Sequence, residues 1–134
     1  MTEKLLELGK NSYSPYSKFR VAAIAVMKDG KEFKGVNVEN ASYGACICAE
    51  RSAILSAISN GYKKGDFKEL NIMCLDSNKI STPCFQCRQV ISELFDKNIS
   101  VICYNNKGES KTYTVEELCP YPFDEDDLKW NQDL

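Results

Sequence analysis

The chain has 134 residues, of which 43% are hydrophobic and 27% are charged, and its formal net charge is -2. A chain of this length and balance builds one hydrophobic core, so we expect a single domain over residues 1–134. The 17 basic and 19 acidic residues are mixed along the sequence, whereas nucleic-acid-binding domains cluster Lys and Arg on one face. The composition therefore argues against a nucleic-acid partner and favours a small-molecule substrate.

The first predicted elements are a helix and a hairpin. An amphipathic pattern predicts a helix over residues 2–10, which Gly9 helps to end. The apolar run 21–27 and the segment 32–39 flank Asp29-Gly30, a hairpin signal, and predict two antiparallel strands.

The same part of the chain bears on location. The apolar run 21–27 is much shorter than the roughly 20 residues that cross a bilayer, and the first residues do not resemble a signal peptide. We therefore expect a cytoplasmic protein without a membrane partner.

The later elements alternate between helix and strand. The pattern predicts a helix over 48–60, a strand over 70–75, a helix over 83–95, a strand over 99–104 and an edge strand over 111–114. Pro83 suits the first position of its helix, with Ser81 or Thr82 as the cap. This order predicts an α/β fold, a three-layer sandwich in which helices cover both faces of a mixed five-stranded sheet.

Seven cysteines and the absence of histidine dominate the chemistry of the sequence. An odd cysteine count without a secretion signal favours metal or catalytic roles over disulfides. Cys84 and Cys87 are one helical turn apart at a predicted helix start, so they are a metal-binding pair, a redox pair or a chance spacing. Cys48, at the start of another predicted helix, adds a third thiolate and favours metal.

The missing fourth ligand indicates a catalytic zinc site. Structural zinc sites usually close with four protein ligands, whereas catalytic sites keep one position for water. Cys46 precedes its helix and is interpreted as a packing residue, as are Cys74 and Cys103 in the predicted core strands, and Cys119 stays unassigned. Glu50 would move protons beside such a metal; away from a metal it would be an ordinary surface residue of a helix N-terminus.

Four motifs follow one another along the chain. They are Tyr13-Ser14-Pro15-Tyr16-Ser17, Asn37-Val38-Glu39-Asn40-Ala41-Ser42-Tyr43-Gly44, Ile47-Cys48-Ala49-Glu50-Arg51, and Pro83-Cys84 with Cys87-Arg88-Gln89. In this order they resemble the small cytidine deaminases, the homotetrameric type that binds zinc through three cysteines. The wider class of zinc deaminases shares the Glu and the P-C-x-x-C signature. The resemblance extends from Tyr13 to Phe123.

The resemblance implies a reaction and a cofactor. It implies one Zn²⁺ per chain, held by Cys48, Cys84 and Cys87, and hydrolysis of cytidine and 2′-deoxycytidine to uridine and 2′-deoxyuridine with release of ammonia. Zinc-activated water would attack C4 of the base. Glu50 would carry the proton of that water to N3 and later protonate the ammonia. The implied role is pyrimidine salvage.

The resemblance also assigns residues around the zinc and the nucleoside. Arg51 would hydrogen-bond to ligand sulfurs, and the backbone N–H of Ala49 would contact O2 of the base. The other residues placed around the substrate are Phe19, Asn37, Glu39, Tyr43 and Phe123. Alternation along the predicted strand 32–39 puts Asn37 and Glu39 on one side, where they would read the 3′-hydroxyl. Tyr43 and Phe123 would reach into a neighbouring subunit of a homotetramer with shared active sites.

Some positions depart from the family pattern, and other functions stay open. Phe85-Gln86 replaces a small pair between the zinc cysteines, which bears on the shape of the pocket. One alternative is a relative that deaminates another cytosine compound such as blasticidin, but that type lacks the Asn37-x-Glu39 pair. A nucleic-acid deaminase would need a basic or aromatic surface. A non-catalytic zinc module would need a fourth protein ligand and no Glu near the metal.

Overall fold

The computed structural model describes residues 1–129 of the chain. Helix α1 (Thr2–Gly9) precedes a hairpin of strands β1 (Val21–Met27) and β2 (Glu32–Val36). The hairpin turns at Gly30, whose φ of 91° is a left-handed conformation that glycine adopts without strain. The Asp-Gly signal in the sequence thus marks the turn that is observed.

The remaining elements follow the predicted alternation. They are α2 (Ala49–Ser59), β3 (Phe67–Cys74), α3 (Phe85–Leu94), β4 (Ser100–Tyr104), β5 (Ser110–Thr114) and α4 (Val115–Leu118), with short 3₁₀ turns at Tyr43–Ala45 and Glu125–Leu128. No helix within residues 1–129 is long and apolar enough to cross a membrane.

The five strands form one mixed sheet in the order β2-β1-β3-β4-β5. Strand β1 pairs antiparallel with both β2 and β3, and β5 pairs antiparallel with β4. Strands β3 and β4 are parallel, which requires the crossover that α3 supplies. The predicted mixed five-stranded sheet is confirmed.

Both faces of the sheet carry helices. On one face Leu5 of α1 packs against Ala22, Ile24 and Met73. On the other face Ala53 of α2 and Ile91 of α3 belong to a larger apolar core that includes alternate residues of β1. Alternate side chains of β1 point to the two faces of the sheet, and helices cover both faces. Strand β1 is therefore buried on both sides, and its sequence is an almost continuous apolar run. The three-layer arrangement is confirmed.

Helix α2 lies unusually close to strand β2 at Gly35. A Cβ atom at this position would overlap the backbone N of Ala53 and the carbonyl O of Ala49. Only glycine permits this approach. The contact fixes the first turn of α2, and with it the residues around Cys48, relative to the sheet.

Three boundaries differ from the sequence prediction by two or more residues. Strand β2 ends at Val36 and does not continue to Glu39; Val38 makes only isolated bridges, to Tyr13 and Ile47. Strand β3 begins at Phe67, three residues before its predicted start. Helix α3 begins at Phe85 with Cys84 as its N-cap, so Pro83 lies before the helix and neither Ser81 nor Thr82 is the cap.

Gly9 ends α1 for a reason other than the one predicted. Lys10, which follows it, keeps a right-handed φ of -61°, so the helix does not close with a left-handed glycine cap. Instead the side chain of Leu75 occupies the space where a Cβ of residue 9 would lie. Gly61, which follows the C-cap Asn60 of α2, has a φ of 96° and so supplies a left-handed residue at the end of that helix.

Candidate metal centre and active site

Three cysteines meet where two helices begin. Cys48 is the N-cap of α2, Cys84 is the N-cap of α3, and Cys87 lies in the first turn of α3. Neither N-cap side chain bonds to its own helix, so both thiols are free to turn towards each other. The Sγ atoms of Cys48 and Cys84 are 3.6 Å apart, and the three sulfurs all lie within 4.8 Å of one another.

These spacings fit a zinc ion. Sulfurs at about 2.3 Å from a tetrahedral ion lie about 3.8 Å from each other, which agrees with the observed separations. Thiolates are the soft ligands that zinc accepts readily. Among residues 1–129 this is the only group of three or more Cys, His, Asp or Glu whose ligand atoms come so close, and it has no fourth member. A metal held here keeps a position for water.

Hydrogen bonds to Cys48 favour its ionisation. The bonds come from Cys87, Arg51 and Cys84, and they outweigh the cost of burial and lower the pKa of Cys48 to about 5. The Cys48 thiolate and burial in turn raise the pKa of Cys87. Cys48 is therefore readily ionised, whereas Cys87 holds its proton more tightly. A divalent ion that binds both sulfurs would displace the proton of Cys87.

Arg51 supplies positive charge beside the sulfurs. Its Nη2 lies 3.5 Å from Cys48 Sγ, and this bond is the main reason that the pKa of Arg51 is raised. Its Nε is buried and has no hydrogen-bond partner. Three thiolates on a divalent ion leave a net negative charge, which a neighbouring guanidinium offsets. This permanently charged group therefore suits an anionic metal cluster.

Glu50 is the only buried charged residue among residues 1–129, with 5% of its surface exposed. Burial raises its pKa to about 7, and the negative charge of Cys48 adds to the rise. It follows Cys48 by two positions in the first turn of α2. A carboxyl group with this pKa can both accept and donate a proton near neutral pH.

A hollow of about 270 Å³ opens beside Glu39 and is also lined by Tyr16, Ser17, Asn40, Tyr43 and Cys46. The Glu39 carboxylate accepts the backbone N–H groups of Tyr16 at 3.0 Å and Ser17 at 3.1 Å, and the Ser17 hydroxyl. The hydroxyl bond is the main cause that lowers the pKa of Glu39. Glu39 is therefore an ionised acceptor at the wall of this hollow.

Asn37 holds the chain that leads into β1. Its Nδ2 donates to Phe19 O at 2.7 Å, and its Oδ1 accepts from Val21 N at 2.9 Å and from the Ser12 hydroxyl. The Val21 N–H thus bonds to the Asn37 side chain and not to the Asn37 carbonyl, which accepts from Tyr13 N, and the β2 ladder ends at Val36. The bonds of Asn37 also place Phe19, whose ring is 42% exposed.

Comparisons with known proteins agree with this geometry. The family model for the cytidine and deoxycytidylate deaminase zinc-binding region matches residues 1–104. Cytidine deaminases of Halalkalibacterium halodurans and Sporosarcina psychrophila are 37% and 38% identical over 128 and 132 residues, in both cases 96% of this chain and 95% of the relative. A crystal structure of cytidine deaminase from Burkholderia pseudomallei matches with a TM-score of 0.83 and 39% identity, over 92% of this chain and 99% of that one. The chain belongs to the cytidine and deoxycytidylate deaminase family.

The residues predicted for the deaminase centre fall into separate groups. The three cysteines, Glu50 and Arg51 meet at the first turns of α2 and α3, and Ala49 is fully buried between them and strand β2. Tyr43 is 79% exposed and lines the hollow with Glu39, whereas Phe123 is 58% exposed and lines a different hollow. One chain alone leaves both rings uncovered.

The other four cysteines lie outside the sulfur cluster, and of these Cys74 and Cys103 were correctly predicted to be core residues. Cys74 and Cys103 are buried in the core. Cys46 does not belong to the sulfur cluster, and its Sγ accepts a bond from Asn40 N at 3.3 Å. Cys119, left unassigned from sequence, donates its S–H to Arg88 O at 3.4 Å.

No role was predicted from sequence for Arg88 and Gln89. Both follow Cys87 and donate to backbone carbonyls more than 25 residues away in sequence, so only their adjacency to the cysteines signals their place. The ring of Phe85, which was expected to affect the shape of the pocket, lies over the Arg88 guanidinium at 4.4 Å.

Proposed function

We propose that this chain hydrolyses cytidine and 2′-deoxycytidine to uridine and 2′-deoxyuridine and releases ammonia. One observation carries the proposal: a buried carboxyl group adjoins a three-thiol group that leaves a metal position open. Relatives named cytidine deaminase along nearly the whole chain support it. A zinc module that only stabilises the fold would have closed the site with a fourth protein ligand.

The proposed chemistry rests on proton transfer by Glu50. Cys48, Cys84 and Cys87 would hold a zinc ion, which would lower the pKa of a bound water molecule towards ~7. Glu50 accepts a proton from the attacking water and delivers it to N3 of the pyrimidine as the water oxygen bonds to C4. When the C4–N4 bond breaks, Glu50 delivers the second proton of that water to the leaving ammonia. Its pKa of about 7 suits both directions of transfer.

We further propose that the backbone N–H of Ala49 contacts O2 of the base and that Phe19 packs against the nucleoside. Ala49 is the first residue of α2, and the N–H groups of a first helical turn have no partner within the helix. Phe19 is anchored by Asn37 yet keeps much of its ring exposed. Both features suit residues that are placed by the protein and contacted by a ligand.

Asn37 and Glu39 are the proposed readers of the 3′-hydroxyl. Glu39 offers an ionised carboxylate at the wall of a hollow, and a hydroxyl bound to a carboxylate makes a charge-assisted bond. Asn37 uses one N–H for Phe19 O, and an amide carries two. Both nucleosides have the 3′-hydroxyl, whereas free cytosine does not.

Assembly into a homotetramer with shared sites belongs to the same proposal. Tyr43 and Phe123 are large rings that stay exposed in a single chain and line different hollows. A neighbouring subunit that covers them would bring each ring to the other's nucleoside. We also propose that residues 1–134 act as one domain, in the cytosol and in pyrimidine salvage; the free state of all seven cysteines suits a reducing compartment.

The loss of cytidine ultraviolet absorbance on incubation with purified, zinc-loaded protein tests the activity. We expect cytidine and 2′-deoxycytidine to disappear with equal amounts of uridine or 2′-deoxyuridine and ammonia formed. Unchanged nucleosides after treatment with protein of full zinc content would contradict the proposal.

A further inference from the structure

Arg88 makes three hydrogen bonds beside the metal centre. Its Nε donates to Pro83 O at 2.8 Å, its Nη2 donates to Thr82 Oγ1 at 2.8 Å, and its Nη1 donates to Leu118 O at 3.0 Å. Each nitrogen of the guanidinium therefore has a partner. The ring of Phe85 stacks over the group at 4.4 Å, so the Arg88 side chain is fixed in both plane and position.

Two of these bonds brace the segment that delivers Cys84. Thr82 and Pro83 lie between β3 and α3, in a stretch without helix or strand. Cys84 follows directly as the N-cap of α3, and its side chain makes no capping bond. The position of the Cys84 sulfur therefore depends on the conformation of residues 82–84. Arg88, a residue of α3, holds that conformation through its bonds to Thr82 and Pro83.

The third bond links the first turns of α3 to Leu118, at the end of α4. Leu118 is the last residue of α4. The next residue, Cys119, donates its thiol to Arg88 O at 3.4 Å, and Gln89 Nε2 donates to Phe123 O at 2.8 Å. Residues 88 and 89 thus join the first turns of α3 to the segment 118–123.

We infer that Arg88 is a positioning residue that holds Cys84 in metal-binding geometry and couples zinc binding to the order of the segment 118–123. Coupling between two sites is reciprocal, so zinc stabilises the segment to the same extent as the ordered segment stabilises zinc binding. Lysine does not replace this residue, because a single ammonium cannot hold three separated acceptors in one plane. The inference concerns the metal site and stands whether or not cytidine is the substrate.

Zinc affinity, measured by competition with a chelator, tests the positioning role. Groups that orient metal ligands are worth about 10- to 100-fold in affinity, so we expect Arg88→Met to bind zinc about tenfold more weakly. Arg88→Lys should behave like Arg88→Met. The control is Tyr62→Leu, which loses a 2.6 Å bond to Asp29 and a ring contact with Phe33, neither of which involves the cluster. Affinity of Arg88→Met equal to wild type, or to the control, would overturn the inference.

A second readout separates positioning from general stability. With Co²⁺ in place of zinc, the thiolate-to-metal absorption bands should shift in Arg88→Met and stay unchanged in Tyr62→Leu, because only the former moves a ligand. If Arg88→Met does not fold, Phe85→Leu removes the stacked ring and keeps the three bonds; a cation–π contact of this kind is worth roughly two- to fivefold in affinity. Unchanged cobalt bands and zinc affinity in the variant that folds would contradict the role of Arg88.

Hydrogen exchange of residues 118–123, with and without zinc, tests the coupling. We expect zinc to slow exchange there in wild type and to have no such effect in Arg88→Met. Gln89→Met loses the bond to Phe123 O but keeps the Arg88 bonds, so it should exchange faster at the Phe123 end of the segment, while zinc should still slow exchange at the Leu118 end. An effect of zinc on the segment that persists in Arg88→Met would show that the coupling runs through other residues.

Discussion

Burial sets the chemistry of individual residues in this protein. Glu50 is nine-tenths enclosed and titrates near neutrality, whereas Glu39 is surrounded by donors and stays ionised. The two carboxyl groups thus have the properties that their proposed roles require, proton transfer for one and hydroxyl binding for the other.

The raised pKa of Glu50 predicts how stability changes with pH in the metal-free protein. Its pKa rises from the ordinary value of 4.5 to about 7 on folding, so the folded state binds the proton more tightly. This favours folding below pH 4.5, and the advantage is lost as pH rises through 7. Since a change of one in pKa corresponds to 1.36 kcal/mol, the loss is about 3 kcal/mol.

Urea unfolding of metal-free wild type and Glu50→Gln, at pH values from 5 to 8, checks this prediction. Glutamine does not ionise, so the free energy of unfolding of wild type should fall relative to that of the variant as pH rises. Ionisable groups remote from Glu50 are common to both proteins and cancel in the comparison. Parallel pH profiles would show that Glu50 is not a buried carboxyl group with a raised pKa.

The proposed contact of Glu39 with the sugar predicts which substrates react well. Because the proposed bond from the sugar to Glu39 would be lost, substrates that lack the 3′-hydroxyl should react poorly. We expect kcat/KM to fall from cytidine to 3′-deoxycytidine and to free cytosine. A charge-assisted bond is worth roughly 1.5 to 3 kcal/mol, so kcat/KM for 3′-deoxycytidine should be at least about tenfold below that for cytidine. In Glu39→Gln the preference for the 3′-hydroxyl should shrink; an unchanged preference would reject this role of Glu39.

At the scale of elements, the first turns of α2 and α3 create the metal site. Cys48 and Cys84 are N-caps, and the positive end of a helix favours the thiolate form of a cysteine. The close contact of α2 with Gly35 and the bonds of Arg88 to the loop before α3 hold the two turns in place. The site therefore depends on the packing positions of two helices more than on any single loop.

We expect zinc at about one ion per chain, and a lower content when a cysteine of α3 is removed. Loss of one thiolate in Cys84→Ala or Cys87→Ala leaves too few ligands to retain the ion against a chelator. Cys46→Ala is the matched control, because this thiol is close in sequence to Cys48 but bonds to Asn40. Elemental analysis after dialysis against a chelator measures the zinc content per chain. Full zinc content in the Cys84→Ala, Cys87→Ala double variant would refute the assignment.

The elements also show what the sequence can predict. The apolar runs, the Asp29-Gly30 turn and the cysteine spacing are local patterns, and they led to the sheet, its hairpin and the three ligands. The end of β2 depends on Asn37, which bonds to Phe19 and Val21. Those partners lie 18 and 16 residues away, so no local pattern reveals the boundary. The contact of Arg88 with Leu118 was unpredictable for the same reason.

At the scale of the whole molecule, the single chain leaves aromatic side chains uncovered. Tyr43, Phe123 and Phe85 are each more than half exposed, and they lie on or near the proposed substrate-binding surface. Large exposed aromatic groups that adjoin a site are typical of interfaces. This is the physical basis for the proposed homotetramer.

Sedimentation and subunit mixing test this assembly. We expect a tetramer at assay concentrations, and a fully active monomer would rule it out. Because Phe123 would serve a neighbour's site, Phe123→Ala and Glu50→Gln chains should each be nearly inactive alone. After they are unfolded and refolded together, some sites combine an intact Glu50 with an intact Phe123 and should regain part of the activity. No recovery in mixed tetramers would place Phe123 in its own chain's site.

In the proposed reaction Glu50 transfers protons at a zinc centre built from three cysteines. Steady-state kinetics of cytidine hydrolysis by Glu50→Gln, with zinc content measured in the same samples, test this role. A general acid–base group is worth typically 10²- to 10⁴-fold, so kcat should fall at least a hundredfold while zinc content and fold stay those of wild type. Turnover within tenfold of wild type at full zinc content would show that another group carries the proton.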